Sequence, residues 1–238
     1  MSFYSEFAQH YDEVFPFEEQ VYSFLRDHAR SGGCSVLDIG CGTGDYCGRF
    51  ADEGCEALGV DLDPWMIERA SERHQKADFR VLAMEDISSL EGPRDLVYCI
   101  GNVISHLGSE SLADFIAAVR GLLRDEGVWI LQTVNWDYIL GLSEYDFPVV
   151  RVPGRELTFM RRYEPVSRSG TRFLARLLKG ESEVFEGSAT LYPADTATFE
   201  RLHREAGFRE IGHYGGFTRE RFDPGRPSSS VFVFERKC

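Results

Sequence analysis

Positive charge is scarce in this chain. Lysine and arginine number 26 against 39 aspartates and glutamates, a formal net charge of -13. Nucleic-acid affinity comes largely from basic groups that displace counterions from phosphates, so the balance argues against a nucleic-acid partner. No apolar run approaches the roughly 18 residues of a membrane-spanning helix, which argues against a membrane partner. The opening MSFYSEFAQHYDEVFPF is acidic and aromatic. It has neither the basic start and apolar centre of a secretion signal nor the basic character of a transit peptide, and a soluble cytoplasmic protein is the expectation. The six cysteines (34, 41, 47, 55, 99 and 238) form no C-x-x-C pair and no His/Cys set with zinc spacing. They are expected to be reduced and mostly buried thiols, and no metal site is read. There is no Gly-x-Ser-x-Gly turn for a covalent nucleophile, no internal repeat and no evident linker.

What is present is a regular alternation. Hydrophobic residues make up 43% of 238, enough for one large domain or one domain with an elaboration. Residues 3 to 30 carry apolar positions at helical spacing (Phe3, Phe7, Tyr11, then Val21, Phe24, Leu25), broken in two by Pro16 and stopped by the glycines of SGGC. SVLDIG, CEALGVDLD, DFRVLA, RDLVYCIGN and VWILQTVN read as strands. Between them lie helices, one opened by Pro64 and one, SESLADFIAAVRGLLRDEG, expected to close at Gly127. Strand and helix in turn from 35 to 135 indicate a parallel sheet covered on both faces. Residues 146 to 194 alternate instead and carry a hairpin signal at Arg168 to Gly170, which reads as an antiparallel insert. From Arg151 to Lys179 that insert holds eight basic residues and two acidic ones. The run is either a solvated strand face or a positive lid over an anionic substrate.

The chemistry centres on SVLDIGCGTGDYCGRF, where Gly40, Gly42 and Gly44 follow a buried strand. A glycine turn at the carboxyl end of a first parallel strand lets a ligand approach main chain, and the next helix offers free N–H groups. A dinucleotide requires G-x-G-x-x-G; here the spacing is G-x-G-x-G after an acid, Asp38, which favours a ligand without phosphates. Asp61 stands 21 positions beyond Gly40, at the end of the second strand. Its carboxylate can accept from both hydroxyls of a ribose, while Asp63 suits the cap of the following helix better.

At VLDIGCGTG, GVDLDPWMIERA and RDLVYCIGNVISHL the chain resembles the class I S-adenosylmethionine-dependent methyltransferases, over most of residues 35 to 135. CIGNVISHL and NWDYIL are similar, over shorter stretches, to glycine N-methyltransferase-type small-molecule methyltransferases. The resemblance implies an α/β, Rossmann-like, mostly parallel seven-stranded sheet with helices on both faces. An antiparallel hairpin would form its C-terminal edge, and the insert would act as a lid. The organisation expected is an N-terminal helical lid (1–30), a cofactor-binding domain (31–135 and 195–238) and a substrate-side insert (136–194).

The same resemblance implies S-adenosyl-L-methionine as cofactor and S-adenosyl-L-homocysteine as product. Asp38, Gly40, Cys41 and Gly42 would meet its methionine part, and Asp61 its ribose. Leu62 and Met66 would flank the adenine, Met66 being otherwise core. Met84 and Glu85 would read the adenine edge. Many relatives carry an acid where this chain has Ala83, leaving Asp86 as the nearby substitute. Ile100, Gly101 and Asn102 would face the reacting centre. His106 is the candidate general base, or else a packing residue; Tyr11, or Tyr192, would orient the acceptor. Trp65 is read as packing. The partner expected is a small-molecule methyl acceptor of N or O type, anionic if the basic run faces it. The IGNV after the fourth strand lacks the Pro-Pro-aromatic motif of nucleic-acid methyltransferases. A homodimer built on the insert stays open, as do a non-catalytic cofactor-binding protein and, further off, an NAD-dependent oxidoreductase.

Overall fold

The computed structural model describes residues 10–30 and 33–237. The helical positions Phe3 and Phe7 and the glycine stop at Ser31 and Gly32 lie outside the described residues. The chain begins with α1 (Tyr11–Val14) and α2 (Glu19–His28), separated around Pro16 as the proline dictates. Five strands then alternate with helices: β1 (Ser35–Ile39), α3 (Asp45–Asp52), β2 (Glu56–Asp61), α4 (Pro64–Arg73), β3 (Asp78–Val81), β4 (Arg94–Cys99), α5 (Leu112–Leu122) and β5 (Leu123–Val134). Short 3-10 turns, Met84–Ser89 and Val103–His106, follow β3 and β4.

After α6 (Trp136–Ile139) come the insert strands β6 (Tyr145–Asp146), β7 (Val150–Val152), β8 (Leu157–Tyr163), β9 (Thr171–Lys179) and β10 (Ser182–Leu191). The chain then returns through α7 (Thr196–Glu205), β11 (Phe208–Tyr214) and β12 (Ser229–Arg236). The main sheet runs β3-β2-β1-β4-β5-β12-β11, parallel up to β5 and antiparallel across β12 and β11. The insert forms its own antiparallel sheet, with β8 at its centre between β6, β7 and β9.

All five residues of β1 are buried, as expected of a central parallel strand covered on both faces. One face of the sheet packs on α5 and α7 through Phe115, Ile116, Phe199 and Phe232. The other packs on α2 and α3 through Tyr22, Phe24, Leu25 and Phe50. α2 is therefore a layer of the core, and α1 alone leaves it to join the insert. Asp63 accepts from the Trp65 and Met66 amides and caps α4, with Pro64 in its first turn.

Two local expectations are corrected. α5 stops at Leu122, short of Gly127. Leu123 is fully buried and pairs with Arg94 of β4, and Arg124 reaches the buried Asp95 at 3.0 Å, so sheet pairing overrides helical propensity there. Cys34 and Cys55 are not thiols but a disulfide, with Cα atoms 4.7 Å apart. Each immediately precedes a strand, and the parallel pairing of β1 with β2 sets them side by side. Such a bridge is unusual for the cytoplasm that the sequence points to. Cys41, Cys47 and Cys99 are free; Cys238 lies outside the described residues. No helix among the described residues is long and apolar enough to cross a membrane.

His203 gives the core a pH dependence. Its ring stacks on Phe234 at 3.8 Å, Nδ1 donates to the Phe199 carbonyl at 2.7 Å, and Nε2 accepts from Trp129 Nε1 at 2.9 Å. Burial holds the imidazole down at about 3, against an ordinary 6.5. Between those values the unfolded chain binds a proton that the native state refuses. The stability is complete above about 6.5 and declines as pH falls toward 3. Urea midpoints should fall across that range in the wild type. In His203→Gln the fall should be shallower, and the neutral-pH stability about 1–3 kcal/mol lower through the unsatisfied indole N–H.

Candidate functional site

β1 delivers the chain into a bend at Gly40 that only glycine fits. Its φ is +77°, and a Cβ there would lie 2.5 Å from Val103 Cγ1. The 3-10 turn that follows β4 thus rests on the bend. The Gly40 and Cys41 amides both donate to the Val60 carbonyl, at 2.8 and 3.0 Å. At Gly42, φ +54°, the ring of Tyr11 lies close on the turn: a Cβ would meet its Cε1 and hydroxyl at 3.3 Å. Tyr11 and the glycine turn, 31 residues apart in sequence, form one side of the site.

Asp61 binds the far end of this bend. Oδ2 accepts from the Gly42 amide at 2.9 Å and Oδ1 from the Asp63 amide at 3.0 Å. The Leu62 amide also bonds this carboxylate, which leaves acceptor capacity for a ligand hydroxyl. Burial raises its carboxyl, an effect those amide bonds partly offset. Deeper still is Asp38, 2% exposed and opposite Tyr98 in the β1–β4 register. Burial pushes it up to about 8, against the lowering effect of the Tyr98 hydroxyl and with the Asp61 charge adding to the rise. Asp38 and the Tyr98 hydroxyl face each other across the strands without well-formed hydrogen-bond geometry, so the acid keeps acceptor capacity that the protein does not fill.

Cys41 turns its thiol inward over Gly59, and burial drives it well above the ordinary thiol range, which makes it no nucleophile. Leu62 is 67% exposed beside the end of β2, whereas Met66 is buried at 2%. Met84 is half-buried on the turn after β3, with Glu85 and Asp86 exposed.

The end of β4 is a junction. Ile100 is half-buried, and the Gly101 amide donates to Gln132 Oε1 at 2.6 Å. Asn102 adopts φ +64°. Its Oδ1 accepts from Ser105 Oγ at 2.9 Å and from the Val134 amide at 3.2 Å, and its Nδ2 donates to the Tyr163 hydroxyl at 3.3 Å. Tyr163 stacks on Trp136, whose Nε1 donates to Ser105 Oγ at 3.0 Å. β8 of the insert is thereby tied to the carboxyl ends of β4 and β5. His106 sits half-buried in the same turn, and burial lowers its imidazole. Tyr192 joins through its amide, which donates to the Ser105 carbonyl at 2.7 Å.

The basic run is not a bare positive lid. Arg155 pairs with Glu13, Arg162 with Glu144, Asp146 and Glu164, Arg168 with Asp195, and Arg176 with Glu183. These acids come from neighbouring strands and segments, so the folded insert neutralises much of its own charge. Arg161 shares the inner face of β8 with Phe159 and Tyr163, its guanidinium within 4.7–5.7 Å of the ring centres of Phe147, Phe15 and Phe159. Gln132 and Tyr163 were not singled out from sequence as ligands of the β4 junction. They sit in ordinary strand alternation, and only the pairing of two sheets gives them this role.

Residues 36–127 match the family described as a methyltransferase domain. The glycine/sarcosine/dimethylglycine N-methyltransferase of Actinopolyspora halophila is 30% identical over 235 residues, covering 90% of this chain and 38% of its own length. The glycine/sarcosine N-methyltransferase of Parasynechococcus marenigrum is 28% identical over 228 residues, covering 90% of this chain and 76% of its own. The chain thus spans well under half of the first relative and about three quarters of the second. Among solved structures, the CcbJ methyltransferase of Streptomyces caelestis superposes with a TM-score of 0.82 at 19% identity, covering 100% and 99% of the two chains. An amino pentose methyltransferase from Micromonospora echinaspora does so with a TM-score of 0.74 at 22% identity, covering 100% and 99%.

Residues 36–127 form a methyltransferase domain, and the fold of the chain is that of S-adenosylmethionine-dependent methyltransferases. The dinucleotide reading falls with that. S-adenosylmethionine, the cofactor that the resemblance implies, fits the pocket of this fold chemically. A buried acid with poorly satisfied acceptors suits a cation, the acceptor capacity left on Asp61 suits a ribose hydroxyl, and a turn without side chains admits a ligand to main chain.

Two outcomes are expected in calorimetric titrations. Asp61→Lys should weaken cofactor binding by at least about a hundredfold, since it removes that acceptor capacity and adds a like charge to a cationic ligand. A bound cation favours ionised Asp38, so affinity for S-adenosylmethionine should rise as pH climbs toward about 8, with a proton released on binding below it. Asp38→Asn should abolish that release.

Proposed function

We propose that this methyltransferase acts on the amine nitrogen of a small molecule that also carries an anionic group. The observation behind this reading is Arg161, a cation on the inner, aromatic face of the insert beside Tyr163, which is bonded to Asn102 at the end of β4. The activities of relatives and structural neighbours support the nitrogen: glycine and sarcosine N-methyltransferases, and among structural neighbours an amino pentose methyltransferase and a sugar N-methyltransferase.

When bound, S-adenosylmethionine supplies an electrophilic methyl group on a positively charged sulfur. In this reading Asp38, the Gly40–Gly42 turn and Asp61 hold it, with Leu62, Met66 and the turn at Met84, Glu85 and Asp86 around the adenine. Ile100 and Gly101 end the strand that faces it. Tyr11 closes the pocket over Gly42 and keeps water out. Arg161 takes the anionic group of the acceptor and orients its nitrogen. Alignment of this kind contributes on the order of 7–11 kcal/mol, the largest share of the barrier lowering asked of the protein.

The acceptor nitrogen must present a lone pair. His106 is suited to take its proton, because a lowered pKa keeps the imidazole neutral at physiological pH. Asn102 acts by position rather than contact, since its carbonyl oxygen already serves two protein donors.

A coupled assay of S-adenosylhomocysteine release across paired amines, each with and without a carboxylate, tests the reading. The carboxylate-bearing member should be preferred by about tenfold or more in kcat/KM, and Arg161→Gln should erase the preference mainly through KM. Equal turnover of both members, or turnover confined to alcohols, overturns it. His106→Gln should remove the acid limb of the pH–rate profile; an unchanged profile takes His106 out of the mechanism.

A further inference from the structure

We propose that Asp12 and Arg73 are positioning residues: they fasten α1 across the cofactor turn and so set how fast S-adenosylmethionine and S-adenosylhomocysteine leave the pocket. α1 has only four residues, too few to hold its own conformation or place. Its apolar attachment is to the insert. Val14 packs in a cluster with Leu157, Phe159, Ala175, Leu177 and Phe185, and Tyr11 and Phe15 lie against the same cluster. Just beyond Pro16, Phe17 packs on the main-sheet core instead. The chain thus crosses from one packed body to the other at Pro16, and α1 belongs by packing to the insert side.

Beside the Tyr11 ring on Gly42, polar contacts among the described residues tie α1 back over the turn. Asp12 Oδ1 accepts from Thr43 Oγ1 at 2.5 Å, directly after Gly42. Asp12 Oδ2 accepts from Arg73 Nη1 at 2.7 Å, at the last residue of α4. The other end of the Arg73 guanidinium meets Asp45 at 2.9 Å, and Asp45 also takes His74 Nε2 at 3.0 Å. One guanidinium therefore joins α1, α3 and α4 around the turn that Tyr11 covers. The next acid, Glu13, faces the opposite way and pairs with Arg155 of the insert at 3.2 Å. Consecutive carboxylates divide the work: Glu13 keeps α1 on the insert, and Asp12 fastens that unit to the cofactor turn. Release of ligand past Tyr11 requires the Asp12 contacts to open, whereas the Glu13 contact can persist.

Displacement stopped-flow with bound S-adenosylhomocysteine tests this without any acceptor, so its result is independent of the acceptor reading. Asp12 and Arg73 are each about a third exposed, which limits the effect of a single contact. Asp12→Asn and Arg73→Gln should each speed release by about three- to tenfold, with melting temperatures close to wild type. Added salt should speed release in the wild type and much less in either variant. Arg73→Lys should restore part of the slow release, and Glu13→Gln should leave the rate unchanged. Wild-type release rates in both Asp12→Asn and Arg73→Gln overturn the proposal. So does faster release that Arg73→Lys fails to restore and that tracks a lowered melting temperature, since that marks a general loss of packing.

Discussion

The bond from the Gly42 amide to the Asp61 carboxylate is the contact on which the pocket depends. It joins the carboxyl ends of the first two parallel strands and fixes the bend between them. The Val60 carbonyl takes the Gly40 and Cys41 amides from below, Val103 closes on Gly40 from the side, and Tyr11 lies over Gly42. Little freedom is left in this bend. Glycine is needed because neighbouring side chains occupy the space a Cβ would take, not because the turn is loose.

A second organising point is Asn102. The insert could have been an appendage, but Asn102 draws Tyr163 to the sheet while its carbonyl oxygen holds the Val134 amide and the Ser105 hydroxyl. Trp136 stacks on Tyr163 and reaches Ser105 as well. These buried polar contacts share partners, so they hold β8 in one register against the end of β4.

The electrostatics follow from where charge is buried rather than from net charge. An acidic chain concentrates two acids, Asp38 and Asp61, beneath the glycine turn, where burial makes each reluctant to ionise and ready to welcome a cation. On the insert, exposed arginines are matched by acids from adjacent strands and screened by solvent. Arg161 is turned inward among aromatic rings.

Much of this was written in the sequence. Alternating apolar runs, Pro16, Pro64 and the G-x-G-x-G spacing specify strands, breaks, caps and the cofactor bend, because backbone sterics and periodicity act over a few residues. Asp63 as cap and Asp61 at a strand end follow from the same local rules. The tertiary structure decided the rest. It joined Cys34 to Cys55 and ended α5 at Leu122 because β1, β2, β4 and β5 pair in one particular register. It paired much of the basic run with acids, set Tyr11 on Gly42 and gave Asn102 a partner 61 residues away. Those outcomes depend on which strands become neighbours, and a distance between residues far apart in the chain exists only once the sheets have closed.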